Sequence, residues 1–255
     1  MMVWRGVLRH ARRHGALSPH HVPRRYTITM AIPILAVTDE ADPRIHSATL
    51  RERMGHVAFA VSCGDLPASY LEFIADALNR PVYYVLGNHA EELTRNSGKP
   101  IREPIGAIDL GGNVVQDPAT GLILAGFPGS PRYNECEPAQ YSEWEIELMA
   151  CKMAPRLHLN RLRHGRALDL LVTHAPPRDV NDRPDPAHRG FMALRGFLEK
   201  WRPPIHIHGH VHLYDRNEPA AQRFGDTDVI NVFPYRVIEL EPHPAPSEHA
   251  AAAAP

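Results

Sequence analysis

The run His208-Gly209-His210-Val211-His212 carries two imidazoles two residues apart behind a glycine. It follows Pro204-Ile205-His206-Ile207, a short, largely apolar stretch that reads as a strand ending in a tight turn. Glycine permits the bend, and the two rings then face one cleft. Neutral imidazole is the commonest protein ligand for metals. A lone His-x-His is weak evidence, because the wet face of any strand can carry one, so the remaining ligands must come from elsewhere. Four stretches offer them: Thr38-Asp39-Glu40-Ala41-Asp42, Ser62-Cys63-Gly64-Asp65, Gly87-Asn88-His89 and Thr173-His174-Ala175-Pro176-Pro177. Singly, each reads more simply as a capping Asp or a satisfied His. Jointly they assemble oxygen and imidazole donors without thiolate, a set that suits manganese, iron or zinc, usually in pairs.

Positioning such donors requires strands that end together. Ile34–Val37, Val57–Val61 and Pro81–Leu86 read as three strands, with helices at Ser47–Met54 and at Ser69–Leu78 between them; the second has Leu71, Ile74, Ala75 and Leu78 at helical spacing. These units imply a parallel sheet with right-handed crossovers. Gly111-Gly112, Asp117-Pro118 and Thr120-Gly121 punctuate Ile105–Gly126, which predicts antiparallel hairpins. A helix is predicted over Ser142–Leu162, with Trp144, Ile146, Leu148 and Met149 covering a sheet. A strand follows at Leu168–Val172, a helix at about His188–Lys200 capped by Asp185, and strands at Ile205–His208, Val229–Phe233 and Arg236–Leu240. In open α/β sheets ligands gather at the carboxyl ends of strands. Five predicted strands end in the candidate donors.

Composition leaves this frame undisturbed. Hydrophobic residues are 44% and charged residues 22%, ordinary for a globular chain, and the net charge of -1 argues against nucleic acid or membrane as a bulk electrostatic partner. Cys63, Cys136 and Cys151 are odd in number and widely spaced, which fits a reducing cytosol rather than a disulfide framework, so a cytoplasmic location is expected. No apolar run approaches the ~18–20 residues of a membrane helix. Residues 1–29 contain Arg5, Arg9, Arg12, Arg13, Arg24 and Arg25 with no acidic residue and no apolar signal core. They read as a basic extension or a mis-called start, with Met30 the true initiator. The domain then spans 30–241, and the Pro/Ala-rich 242–255 is expected to be disordered.

The ordered set Asp39, Gly64-Asp65, Gly87-Asn88-His89, Thr173-His174 and Gly209-His210-Val211-His212 resembles the calcineurin-like metallophosphoesterase superfamily, from about Ile32 to Leu240. The resemblance implies an α/β fold, a four-layer αββα sandwich of two mixed sheets flanked by helices. It also implies two divalent metal ions, Mn2+, Fe2+/Fe3+ or Zn2+. Asp65 would bridge them; Asn88, His174 and His210 would complete one shell, and Asp39 and His212 would hold the other ion. His89 would lie over the phosphate and protonate the leaving oxygen, with in-line attack by a metal-activated hydroxide.

Departures from the family pattern matter. Its Asp-x-His is Asp39-Glu40-Ala41 here, so the Asp39/His212 position is expected to be weak or empty unless Glu40 or Asp42 substitutes. Ala90 follows Gly-Asn-His where many members have an acid. Ala68 stands where protein phosphatases orient the catalytic histidine with an aspartate, leaving Glu91 or Glu92 for that task. Thr173-His174-Ala175-Pro176-Pro177 resembles the Thr-His-Gly-Pro-Pro of phosphodiesterase-like members, which favours a small phosphodiester, nucleotide-derived, over a monoester. Arg132 is a candidate to fork onto the phosphate and Tyr133 to line the leaving-group pocket, against a solvated surface loop. Asp185 and His188 are candidates for the cleft rim. His206 and His208 read as core or supporting residues, and Cys63 as a small apolar filler. The alternative function is a degenerate binding scaffold of the same fold with little or no activity; retention of His89 argues against it.

Overall fold

A computed structural model describes residues 31–89, 103–134, 139–215 and 217–241. The basic extension, the Pro/Ala tail, Ala90, Glu91, Glu92 and Cys136 lie outside the described residues. In chain order the elements are β1 (Ile32–Val37), α1 (Leu50–Met54), β2 (Ala60–Ser62), α2 (Ala68–Leu78), β3 (Val82–Tyr84), β4 (Ala107–Asp109), β5 (Val114–Gln116), β6 (Ile123–Phe127), β7 (Ser130–Pro131), β8 (Gln140–Tyr141), α3 (Glu143–His164), β9 (Leu170–Thr173), α4 (Met192–Trp201), β10 (Ile205–His208), β11 (Ala221–Phe224), β12 (Thr227–Asn231) and β13 (Tyr235–Leu240).

Two large sheets result. One runs β13-β1-β2-β3-β4, parallel except for β13; the other runs β11-β12-β10-β9-β6-β5, parallel in its centre with an antiparallel strand at each edge. Strand alternation sorts the side chains into three apolar layers. Ile34, Ala36, Leu124, Leu170, Val172 and Ile207 meet between the sheets. Leu35 and Val37 turn outward beneath Leu71, Ile74 and Leu78 of α2. Ile123, Ala125, Phe127 and Leu171 turn the other way, beneath α3 and α4. The predicted αββα sandwich is therefore present. Burying each such Leu or Ile stabilises the fold by roughly 1.5–3 kcal/mol, and Ile74, fully buried, is one of those that hold α2 to the sheet.

Local differences from the sequence expectations have identifiable causes. Ile105–Gly126 is not all antiparallel. β4 pairs in parallel with β3, and only β5 and β6 form the hairpin. The chain changes sheets at Leu110-Gly111: Leu110 is buried between the sheets and Gly111 bridges to Gly126. α1 begins at Leu50, because Ser47–Thr49 form a turn first. α4 begins at Met192, four residues late, and Asp185 does not cap it. The Glu143 carboxylate of α3 accepts from the Met192 and Ala193 amides at 3.0 and 2.8 Å instead. α3 itself starts with a Ser142/Glu145 capping box, ends at Gly165 in the left-handed conformation, and buries Ile146, Met153 and Leu157. Trp144, two residues or about 200° around the helix from Ile146, is 66% exposed, and Leu148 is also exposed, so neither covers the sheet. β11 escaped the sequence reading because it is polar and exposed, without alternation.

Candidate metal centre

Parallel neighbours end on the same edge of a sheet, so β1, β2 and β3 deliver Asp39, Asp65 and Asn88 together, and β9 and β10 deliver His174 and His210. Three of these candidate ligands adopt left-handed backbone, with φ of 58° at Asp39, 54° at Asp65 and 66° at His210. Such conformations are held against roughly 1–3 kcal/mol of strain and cluster at functional sites. The bend of the last motif thus falls on His210. Its glycine serves another purpose: a Cβ on Gly209 would overlap Thr38 and the Asp39 carboxylate, and one on Gly87 would overlap the Asp65 carboxylate. Both glycines let backbone approach an acid.

Hydrogen bonds fix the orientation of each donor. Asp39 Oδ2 accepts from Thr38 Oγ1 at 2.6 Å and from the His210 amide at 2.9 Å. Asp65 Oδ1 accepts from the His89 amide at 2.8 Å. His174 Nδ1 donates to the Cys63 carbonyl at 2.7 Å, and its Nε2 lies 2.8 Å from Asn88 Oδ1 and 3.2 Å from Asp65 Oδ2. His210 Nε2 donates to the Ala187 carbonyl at 2.6 Å, which leaves Nδ1 as its ligand atom. His212 Nδ1 meets the Tyr214 hydroxyl at 3.0 Å, while its Nε2 stands 3.5 Å from Asp39 Oδ1. Carbonyls that fix a tautomer in this way are a recurrent support for metal-binding histidines.

The electrostatics favour a cation. Burial would raise Asp39, yet its bond to His212, the charge of His174 and the donors Thr38 and His210 hold it at about 2. Asp65 is also lowered: burial opposes, and His174 outweighs it. His174 is fully buried, which disfavours charge, but Asp65, Asp39 and the Cys63 carbonyl raise it to about 9. The hydrogen-bonding partners of its ring are all oxygen acceptors, and Nε2 faces the Asp65 carboxylate and the Asn88 amide oxygen. His210 is pushed down to about 3, first by burial and then by His174, and so stays neutral. Ligand atoms of Asp39, Asp65 and His174 lie within 4.8 Å of one another. Carboxylate and imidazole ligands sit about 2.0–2.2 Å from ions such as zinc, so this donor set fits a divalent ion with small adjustments.

Asp39, Asp65, Asn88, His89, Tyr133, His210 and His212 all line one cavity of about 220 Å³, with His174 buried beneath it. Tyr133 also accepts from Asn88 Nδ2 at 3.2 Å. Arg132 lies outside its walls; Nη2 contacts Glu145 at 3.2 Å and the Gln140 carbonyl at 3.3 Å. Asp42 is held by the Arg44 guanidinium and Glu40 is exposed, so neither lines the cavity either. Ala187 and His188 complete the wall. The Ala187 carbonyl, Tyr214 and Phe233 were missed by sequence reasoning; only Tyr214, two residues past His212, carried any signal. A separate polar cavity of about 260 Å³ lies beyond Val211, but its acids are paired: Asp179 with Arg195, Asp182 with Arg178 and Glu218 with Arg183.

A family model described as calcineurin-like phosphoesterase matches residues 60–214, more than half of the chain. One crystal structure aligns at 16% identity over 82% of this chain and 95% of its own, with a TM-score of 0.58. The crystal structure of TT1561 of Thermus thermophilus aligns at 14% identity over 79% and 89%, with a TM-score of 0.53. At these identities the likeness is one of fold. No curated protein matches the chain.

Proposed function

The chain belongs to the calcineurin-like phosphoesterase family, and from that premise we propose that it is a metal-dependent phosphohydrolase acting on a small, nucleotide-derived phosphodiester in preference to a monoester. The observation that carries this reading is the convergence of Asp39, Asp65 and His174 beneath a cavity whose wall includes His89. When bound, divalent ions (manganese, iron or zinc) supply Lewis acidity toward phosphoryl oxygens and make water nucleophilic near neutral pH.

The side chains divide the rest of the work. Asp65 presents Oδ2 toward His174 while Oδ1 accepts from the His89 amide, and it would bridge the two ions. Asn88, His174 and His210 would hold one ion, and Asp39 and His212 the other. His89 is exposed at the cavity; its ring would stabilise charge on the transferring phosphoryl group and protonate the leaving oxygen. Tyr133 lines the leaving-group side. No described helix is long and apolar enough to cross a membrane, and a small cytoplasmic substrate is the proposed partner. A scaffold would have no use for an exposed histidine at such a cavity.

Turnover of bis(p-nitrophenyl) phosphate and p-nitrophenyl phosphate, with Mn2+ and after chelation, tests the proposal. Metal-dependent hydrolysis faster on the diester is expected. Absence of metal-dependent turnover across a phosphoester panel would overturn it.

A further inference from the structure

The loop from Asp182 to Gly190 touches the centre at two consecutive residues. Ala187 accepts from His210, and His188 places its ring 5.3 Å from the His210 ring, in the wall of the same cavity. The loop is closed on itself. The Arg183 amide donates to the His188 carbonyl at 3.1 Å, and the Gly190 amide donates to Asp182 at 3.0 Å.

Asp185 Oδ1 accepts from both the His188 amide, at 3.2 Å, and its ring Nδ1, at 2.9 Å. The ring is thus held at one nitrogen, and Nε2 has no hydrogen-bond partner among the described residues. Burial separates this histidine from three of the ligand candidates, though not from His212, which is 42% exposed. Side chains of Asp39, Asp65 and His174 are 4%, 8% and 0% exposed, whereas His188 is 44% and Asp185 49% exposed. The floor of the cavity therefore holds the donors suited to a cation, and the mouth holds an oriented imidazole.

We propose that His188 is a substrate-contact residue, donating from Nε2 to an oxygen of the bound phosphoryl group, and that Asp185 is the positioning residue that holds its ring. With Nδ1 held by the Asp185 carboxylate, Nε2 is the nitrogen left to meet the phosphoryl oxygen, and hydrogen bonds to an ionised acceptor are short and roughly twice as strong as neutral ones. The inference rests on the phosphoester reading above and deepens it. It gives the anionic group a second protein donor besides His89, on a different loop.

The test uses the full Mn2+-loaded chain, with orthophosphate binding by calorimetry beside turnover of bis(p-nitrophenyl) phosphate. His188→Ala is expected to weaken orthophosphate about tenfold and to raise KM more than it lowers kcat, with Mn2+ affinity unchanged. His188→Gln, which keeps a donor near the Nε2 position, should recover part of the loss, and Asp185→Ala should lose less than His188→Ala. Unchanged orthophosphate affinity in His188→Ala would overturn the proposal. So would a parallel loss of Mn2+, which would make His188 a metal ligand. If the wild type neither binds orthophosphate nor turns over diester, the phosphohydrolase reading itself fails, and the His188 role with it.

Discussion

The imidazole of His212 lies flat against the ring of Phe233, with centroids 4.6 Å apart and planes 13° from parallel. Tyr214 closes on it from the edge and meets Nδ1 through its hydroxyl. The only nitrogen left to His212 faces Asp39. In the proposed two-ion reading Ala41 adds no donor to the Asp39/His212 position, so this packing would bear directly on its metal affinity.

Metal titration should therefore reveal two unequal positions, the Asn88/His174/His210 one filling first. Tyr214→Phe is expected to weaken the second by about tenfold, the low end for loss of a residue that orients a ligand, and His212→Ala to abolish it. Ala41→His should strengthen it. Two equal, tight positions in the wild type, measured by calorimetry and elemental analysis, would contradict this account.

His89 is anchored by its backbone to Asp65 and leaves its ring exposed. His89→Ala should lower kcat by about 10²–10⁴-fold, the usual range for a positioned acid, while metal content stays constant. The loss should shrink for leaving groups of low pKa, which need less protonation. A uniform loss across leaving groups would argue for a charge-stabilising role alone.

His174 carries its proton far above the ordinary value of 6.5, to about 9. A group raised on folding stabilises the folded state fully below its unfolded value, and that contribution disappears as pH climbs through the folded one. The metal-free protein should thus lose thermal stability between about pH 6.5 and 9, and a His174→Asn variant should lose less over the same interval. Parallel melting profiles for the two chelated proteins would refute the assignment.

Gly87→Ala should be far worse than an ordinary surface substitution, because the added methyl must displace the Asp65 carboxylate. A destabilisation of about 1–3 kcal/mol is expected by chemical denaturation, together with loss of metal binding. Retained metal affinity would mean that Asp65 can relocate without losing its role.

Much of this was legible before any coordinates. Donors of the right type stand at the ends of β1, β2, β3, β9 and β10, and each follows an apolar run whose local pattern declares a strand. The layers were not legible locally, since β1 and β6 are continuously apolar runs and nothing in them says which face meets the other sheet; the sandwich came as what the family resemblance implied. Element boundaries were legible only in part. α4 starts where Glu143 of another helix caps it, a partner 49 residues away that no local pattern announces.

The amino-acid sequence alone determined which atoms could bind a metal and that they would stand at the carboxyl ends of strands in an α/β chain, because side-chain chemistry and strand periodicity are local properties; the two-sheet sandwich came as what the family resemblance implied. Only the tertiary structure decided how those atoms are aimed. The Asp39 carboxylate is oriented by the amide of His210, 171 residues away, and His174 by the carbonyl of Cys63, 111 residues away. It also turned Arg132 to Glu145, placed His188 at the cavity mouth and stacked His212 on Phe233. Backbone groups look alike in every sequence, and which of them meets a given side chain depends on long-range packing of the two sheets.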